Sequence, residues 1–132
     1  MIVAHDSLPF DEVPRIKTRV LAGLHRGANE TTVWEQLIEP GGYIPLHYHD
    51  VEEVLVFLAG KIVLTRSDET SELLAPATVV LPAGQVHGLR PCGAQTVHLL
   101  AFFPTAHPKI IAADGSLRPM PWQDREGRDA PP

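Results

Sequence analysis

Gly41-Gly42-Tyr43-Ile44-Pro45-Leu46-His47-Tyr48-His49-Asp50-Val51-Glu52-Glu53-Val54-Leu55-Val56-Phe57-Leu58-Ala59-Gly60 is the segment from which the rest of the chain is best read. Pro45 and the Gly41-Gly42 pair disfavour a helix across its first half. On a strand, side chains at i and i+2 leave the same face with Cα atoms about 6.5 to 7 Å apart, so His47 and His49 converge while Tyr48 faces away. On a helix the two imidazoles would point about 200° apart. Glu53 adds an anionic oxygen at the start of the apolar run Val54-Leu55-Val56-Phe57, and His87, beyond a further turn-rich segment, offers a third imidazole. A mixed nitrogen and oxygen set of this kind suits one divalent transition metal ion; Mn, Fe, Co, Ni, Cu and Zn all tolerate it.

Outward from this segment, apolar residues fall in short runs rich in Val, Ile, Leu and Thr: Ile16 to Leu21, Thr31 to Ile38, Val54 to Leu58, Lys61 to Thr65, Thr78 to Leu81 and Thr96 to Phe103. Gly/Pro turn clusters separate them, among them Glu39-Pro40-Gly41-Gly42, Pro82-Ala83-Gly84 and Pro91-Cys92-Gly93. No window of eleven or more residues carries a helical period, so an all-β sandwich or small barrel is expected. The stripe Leu55, Phe57, Ile62, Leu64 reads as its core. The facing of the strand holding Trp34 and Gln36 stays open at this point. Eight of the thirteen prolines stand at or before Pro14 or after Phe103. Residues 1–14 and 104–132 therefore read as extended arms on a single domain whose core spans about 15–103.

Two spacings carry a family resemblance. Gly41, five residues, His47-Tyr48-His49, three residues, Glu53, six residues and Gly60 resemble the first motif of the cupin superfamily, and Pro82-Ala83-Gly84, two residues, then His87 resembles the centre of its second. The resemblance implies a small double-stranded β-helix, or jelly-roll barrel, holding a metal through His47, His49, Glu53 and His87, with Gly41, Gly60 and Gly84 as turn formers. Pro76 and Pro91 stand where the second motif usually has Gly and Asn; neither position is a ligand, so the departure bears on strand-end turns. Between the motifs lie only Lys61 to Ala75, as in compact microbial single-domain cupins, and the likeness covers roughly residues 35–91.

Charge and cysteine content narrow the function. Sixteen acidic against eleven basic residues give a net charge of −5 with no Lys/Arg run, so nucleic acid is not an expected partner. Cys92, the single cysteine, cannot form an intrachain disulfide and reads as an incidental thiol; with no leader-like first segment, a cytoplasmic location is expected. The longest uncharged apolar run, Val54 to Gly60, falls far short of the ~20 residues of a membrane helix. On the strand Thr96 to Phe103, His98 shares a face with Leu100 and Phe102. Val97, Leu99 and Ala101 offer an equally apolar opposite face, so burial alone does not choose; if the even-numbered side turns inward, His98, the only polar ring on either face, lies beside the ion as a base or substrate contact, and otherwise it faces outward. His5, His25 and His107 read as surface residues.

Three imidazoles and one carboxylate leave +1 on a divalent ion, favouring enolates and carboxylates. The expected function is a metal-dependent, dioxygenase-like oxidoreductase acting on a small enolisable or acidic molecule, with Glu53 and His98 as catalytic groups and isomerase, decarboxylase or hydrolase chemistry as variants. The alternative is a non-catalytic cupin that binds or senses a small molecule; sensor cupins usually carry an attached DNA-binding domain, for which 132 residues leave no room. A small barrel with Pro-rich arms is further expected to be a homodimer.

Overall fold

Runs of β-branched residues broken by Gly and Pro become strands in the computed structural model, which describes residues 1–120. In chain order these are β1 Asp11–Val13, β2 Ile16–Ala22, β3 Thr32–Ile38, β4 Ile44–Tyr48, β5 Glu53–Ala59, β6 Lys61–Arg66, β7 Glu69–Leu74, β8 Ala77–Leu81, β9 His87–Pro91, β10 Val97–Phe103, β11 Ile110–Ala112 and β12 Leu117–Arg118. They form two six-stranded sheets, ordered β1-β2-β3-β10-β5-β8 and β12-β11-β4-β9-β6-β7, with every pairing antiparallel. This is the all-β jelly roll that the sequence implied. Among the described residues no helix is long and apolar enough to cross a membrane.

The core fills the space between the sheets. Ile38, Phe57, Leu81, Val97, Leu99 and Phe103 of the first sheet and Ile62 and Leu64 of the second are almost fully buried. Each such side chain contributes about 1.5 to 3 kcal/mol by leaving water. Strand alternation decides what faces in: on β10, Val97, Leu99, Ala101 and Phe103 are buried, so His98, Leu100 and Phe102 lie on the outer face.

The chain passes from the first sheet to the second at Gly60. Its φ is +102°, and a Cβ there would lie 2.9 Å from Val97 Cγ2 and 3.0 Å from Val97 Cα, so only glycine fits both the conformation and the space. Gly41 and Gly84, the other two expected turn formers, also have positive φ. Pro76 sits in the turn between β7 and β8, and Pro91 ends β9 opposite Ile62, so both departures from the second motif are absorbed at strand ends.

The segments expected as arms add edge strands: β1 extends the first sheet beside β2, while β11 and β12 extend the second beside β4. Residues 121–132 of the expected C-terminal arm lie outside the described residues.

Candidate metal centre

His47 lies on β4 opposite His87 on β9, both in the second sheet, and Glu53 begins β5 in the first. His49 follows β4, where its carbonyl accepts a 2.8 Å hydrogen bond from Gly84 N. That bond ties the turn after β4 to the turn before β9 and brings the two sequence motifs together. All four side chains are buried, and one donor atom from each lies within 4.8 Å of the others.

The orientation of each ring is set by its Nδ1. His47 Nδ1 donates to Pro45 O at 2.8 Å, His87 Nδ1 to Gln85 O at 2.9 Å, and His49 Nδ1 to Lys109 O at 2.6 Å. A carbonyl can only accept, so the proton of each neutral imidazole is on Nδ1 and the Nε2 lone pairs face the cluster. His49 is further held edge-on against Phe103 and Trp34, with ring centroids 4.8 and 6.4 Å apart.

This arrangement leaves a charge deficit at the centre. His47 Nε2 and His49 Nε2 are 3.2 Å apart, and Glu53 Oε1 lies 3.3 Å from His49 Nε2 and 3.1 Å from His87 Nε2. With protons on Nδ1, none of these contacts contains a hydrogen, and buried Glu53 Oε1 has no hydrogen-bond donor. Extra protons are disfavoured: burial, then repulsion from His87, pushes the His47 pKa down from 6.5 to about 4. Burial raises the Glu53 carboxyl, and only protons on the Nε2 atoms of His49 and His87, or a cation standing in their place, would bring it down. One cation accepting all four donors removes the conflict. Ligand bonds of about 2.1 Å at tetrahedral to octahedral angles place donors roughly 3.0 to 3.4 Å apart, which the three separations match. The residues fit a divalent transition ion.

The cluster borders a cavity of about 170 Å³ reached by His47, Glu53 and His87. Its walls include Trp34 and Gln36, which settles the facing of β3, and Ile110 from the C-terminal segment. A larger groove of about 600 Å³, bounded by Tyr43, Val63 and Arg90 among others, lies beside it and contains none of the four ligands.

His98 is not part of this site. Its Nε2 lies 2.8 Å from Glu35 Oε2 on the outer face of the first sheet, and Arg19 Nε lies 2.6 Å from Glu35 Oε1. The inward orientation expected for His98 is thereby corrected: burying Val97, Leu99 and Phe103 removes more apolar surface, and Glu35 supplies the outer-face partner that the ring needs. The Glu35 carboxyl is held below its usual range by His98 and Arg19 despite burial that raises it. His5 and His107 are exposed, His25 is half-buried, and none of them joins the cluster. Sequence reading missed the carbonyls of Pro45, Gln85 and Lys109, because a backbone acceptor leaves no signature in residue type.

The chain is 26% identical over 125 residues to auxin-binding protein 1 of Arabidopsis thaliana, covering 85% of this chain and 63% of that protein. Among solved structures it resembles the oxalate decarboxylase of Lactobacillus farciminis in its formate complex (TM-score 0.75, 20% identity, 83% of this chain and 35% of that one). It also resembles the polyketide cyclase RemF of Streptomyces resistomycificus (TM-score 0.74, 22% identity, 98% and 94%) and KdgF from Halomonas sp. (TM-score 0.65, 16% identity, 77% and 90%). The chain thus spans less than two thirds of the auxin-binding protein and about a third of the decarboxylase, and the structural likenesses speak for the fold. The cupin domain family matches residues 34–103, a span from β3 to β10 that includes all four ligand candidates, and the chain belongs to that family.

Proposed function

We propose that this protein is a metal-dependent enzyme, dioxygenase-like in type, acting on a small enolisable or acidic molecule. The observation that carries this reading is the buried His47–His49–Glu53–His87 cluster, its Nε2 atoms turned inward by three carbonyl acceptors and its edge open to a cavity. A divalent transition ion held there supplies Lewis-acid or redox chemistry at the coordination positions that four protein ligands leave free. The chain's own contribution is to keep the three imidazoles neutral and to exclude water with Trp34, Leu55 and Leu89. Glu53, beside the cavity, can take a proton from an enolisable carbon at its oxygen when the carboxylate loosens from the ion. His98 takes no part, because its ring lies on the other side of the sheet.

A second reading, binding without turnover, is favoured by the likeness to a protein named for binding auxin. The oxalate decarboxylase and the polyketide cyclase are named as enzymes on this fold, and the cluster here supports the catalytic reading. Oxygen-consumption and product assays against a panel of enolisable acids and diketones, run on metal-loaded protein, separate the two. Turnover that disappears in Glu53→Gln is the expected result; saturable binding with no product from any compound would favour the second reading.

The same reading includes a homodimer. The outer face of the first sheet carries Val33, Leu37, Val54, Val56, Leu100 and Phe102 partly buried, with Leu58 and Val80 about half exposed, in adjacent cross-strand positions. A contiguous apolar face of this kind is what a second copy would cover. A cytoplasmic location belongs to the same proposal, with Cys92 a free thiol.

A further inference from the structure

Arg118, on β12, lines the metal cavity and is the only Lys or Arg among the described residues that does so. It also borders the outer groove, which shares Ile44, Pro45, Leu89 and Arg118 with the cavity, so its side chain stands where the two meet. Among the described residues no carboxylate lies within 4 Å of it. Its one hydrogen bond among the described residues, Nη2 to Leu46 O at 3.5 Å, is long. Asp114, on the groove side, acts on Arg118 only from farther away, and its Oδ1 already accepts from Ser116 N at 2.9 Å and Ser116 Oγ at 2.6 Å. A guanidinium with spare donors at the junction of groove and cavity is matched by a carboxylate, which it can grip with two parallel bonds.

The cavity also limits what that carboxylate is attached to. Apolar residues, among them Val13, Ile16, Trp34, Leu55, Leu89 and Ile110, make most of the wall. Apart from the metal ligands and Arg118, its polar side chains are Thr18 and Gln36, which are hydrogen-bonded to each other at 3.1 Å. A polyhydroxylated acid would leave hydroxyl groups unpaired against aliphatic carbon. The volume of about 170 Å³ is close to the roughly 150 Å³ at which an apolar cavity accepts benzene. We infer that Arg118 is the carboxylate-binding, specificity-determining residue of this site, and that its ligand is a carboxylic acid with one ring-sized apolar body. This rests on the reading of the cavity as the substrate site and adds the substrate class to it.

The test is a binding titration by ligand-observed NMR on the protein as purified. Benzoate, its neutral analogue benzamide and the polyhydroxylated acid glucuronate serve as probes, against wild type, Arg118→Gln and Arg118→Lys. Wild type is expected to prefer benzoate to both other probes. Arg118→Gln should weaken benzoate at least about tenfold and leave benzamide unchanged, while Arg118→Lys keeps part of the preference because it keeps the charge. Benzoate binding equal in wild type and Arg118→Gln, no benzoate binding to wild type, or a preference for glucuronate would each overturn the inference. Metal content and thermal unfolding measured on the same samples separate the outcomes. A metal-free wild type would sink the metal reading while leaving the benzoate contrast legible, and an unfolded Gln variant transfers the comparison to Lys.

Discussion

His87 and His98 carry the same imidazole within a short stretch of chain, and the structure gives them opposite roles. His87 faces the cluster with Nδ1 committed to Gln85 O, whereas His98 faces outward to Glu35. His87→Ala should therefore abolish stoichiometric metal binding, while His98→Leu should leave metal content unchanged and cost only about 1 kcal/mol of stability from the lost bond to Glu35. Elemental analysis of the two variants side by side checks both. Loss of metal in His98→Leu would contradict its placement on the outer face. Protonation gives a second handle on the cluster. His47 titrates at about 4 in the fold against 6.5 ordinarily, so between those values the folded chain binds fewer protons than the unfolded one. The metal-free fold should thus lose stability as pH falls from 6.5 to 4, by about 3 kcal/mol from this ring. Urea midpoints measured in chelator across that range test this, and a flat profile in wild type that matches His47→Ala would refute it. The cluster was legible in the sequence because the i, i+2 spacing of His47 and His49 is local. The facing of His98 was not, because both sides of β10 are apolar and the deciding partner, Glu35, lies 63 residues away.

Strands β2, β3, β5, β6, β8 and β10 match the six runs read from the sequence to within about a residue at most ends, since each alternates or concentrates β-branched residues. β7, with Glu69, Ser71 and Glu72, carried no such signal: it is an edge strand, and its backbone pairs with β6 while its side chains remain largely exposed. β1, β11 and β12 are two or three residues long and owe their existence to the strands they pair with, which local propensity cannot show. The same dependence hides the Lys109 carbonyl and Arg118, which reach the site only because β11 docks on β4. At Gly60 the local and tertiary requirements coincide, and a side chain meets both a left-handed φ and the backbone of Val97. Gly60→Ala should destabilise the fold by more than ~1 kcal/mol, since relief requires moving β10. A urea midpoint equal to wild type would show that the turn relaxes without cost.

Taken as a whole, the molecule has a closed face and an open one. The inner faces of both sheets are covered by the core and the metal cluster, and the outer face of the first sheet presents a row of apolar residues around the Arg19–Glu35–His98 contacts. If a second copy covers that row, replacing neighbouring Val56 and Leu100 together by Glu should convert a dimer to a monomer in sedimentation without loss of metal. A wild-type monomer at micromolar concentration would remove the homodimer from the account and leave the site intact. The claim on which everything else depends is the ion. Elemental analysis of the purified protein beside a His47/His49/His87 triple alanine variant tests it most directly. One divalent transition ion per chain in the wild type and none in the variant is the predicted result; stoichiometric metal retained by the variant, or a folded wild type that takes up none when supplied, would contradict it.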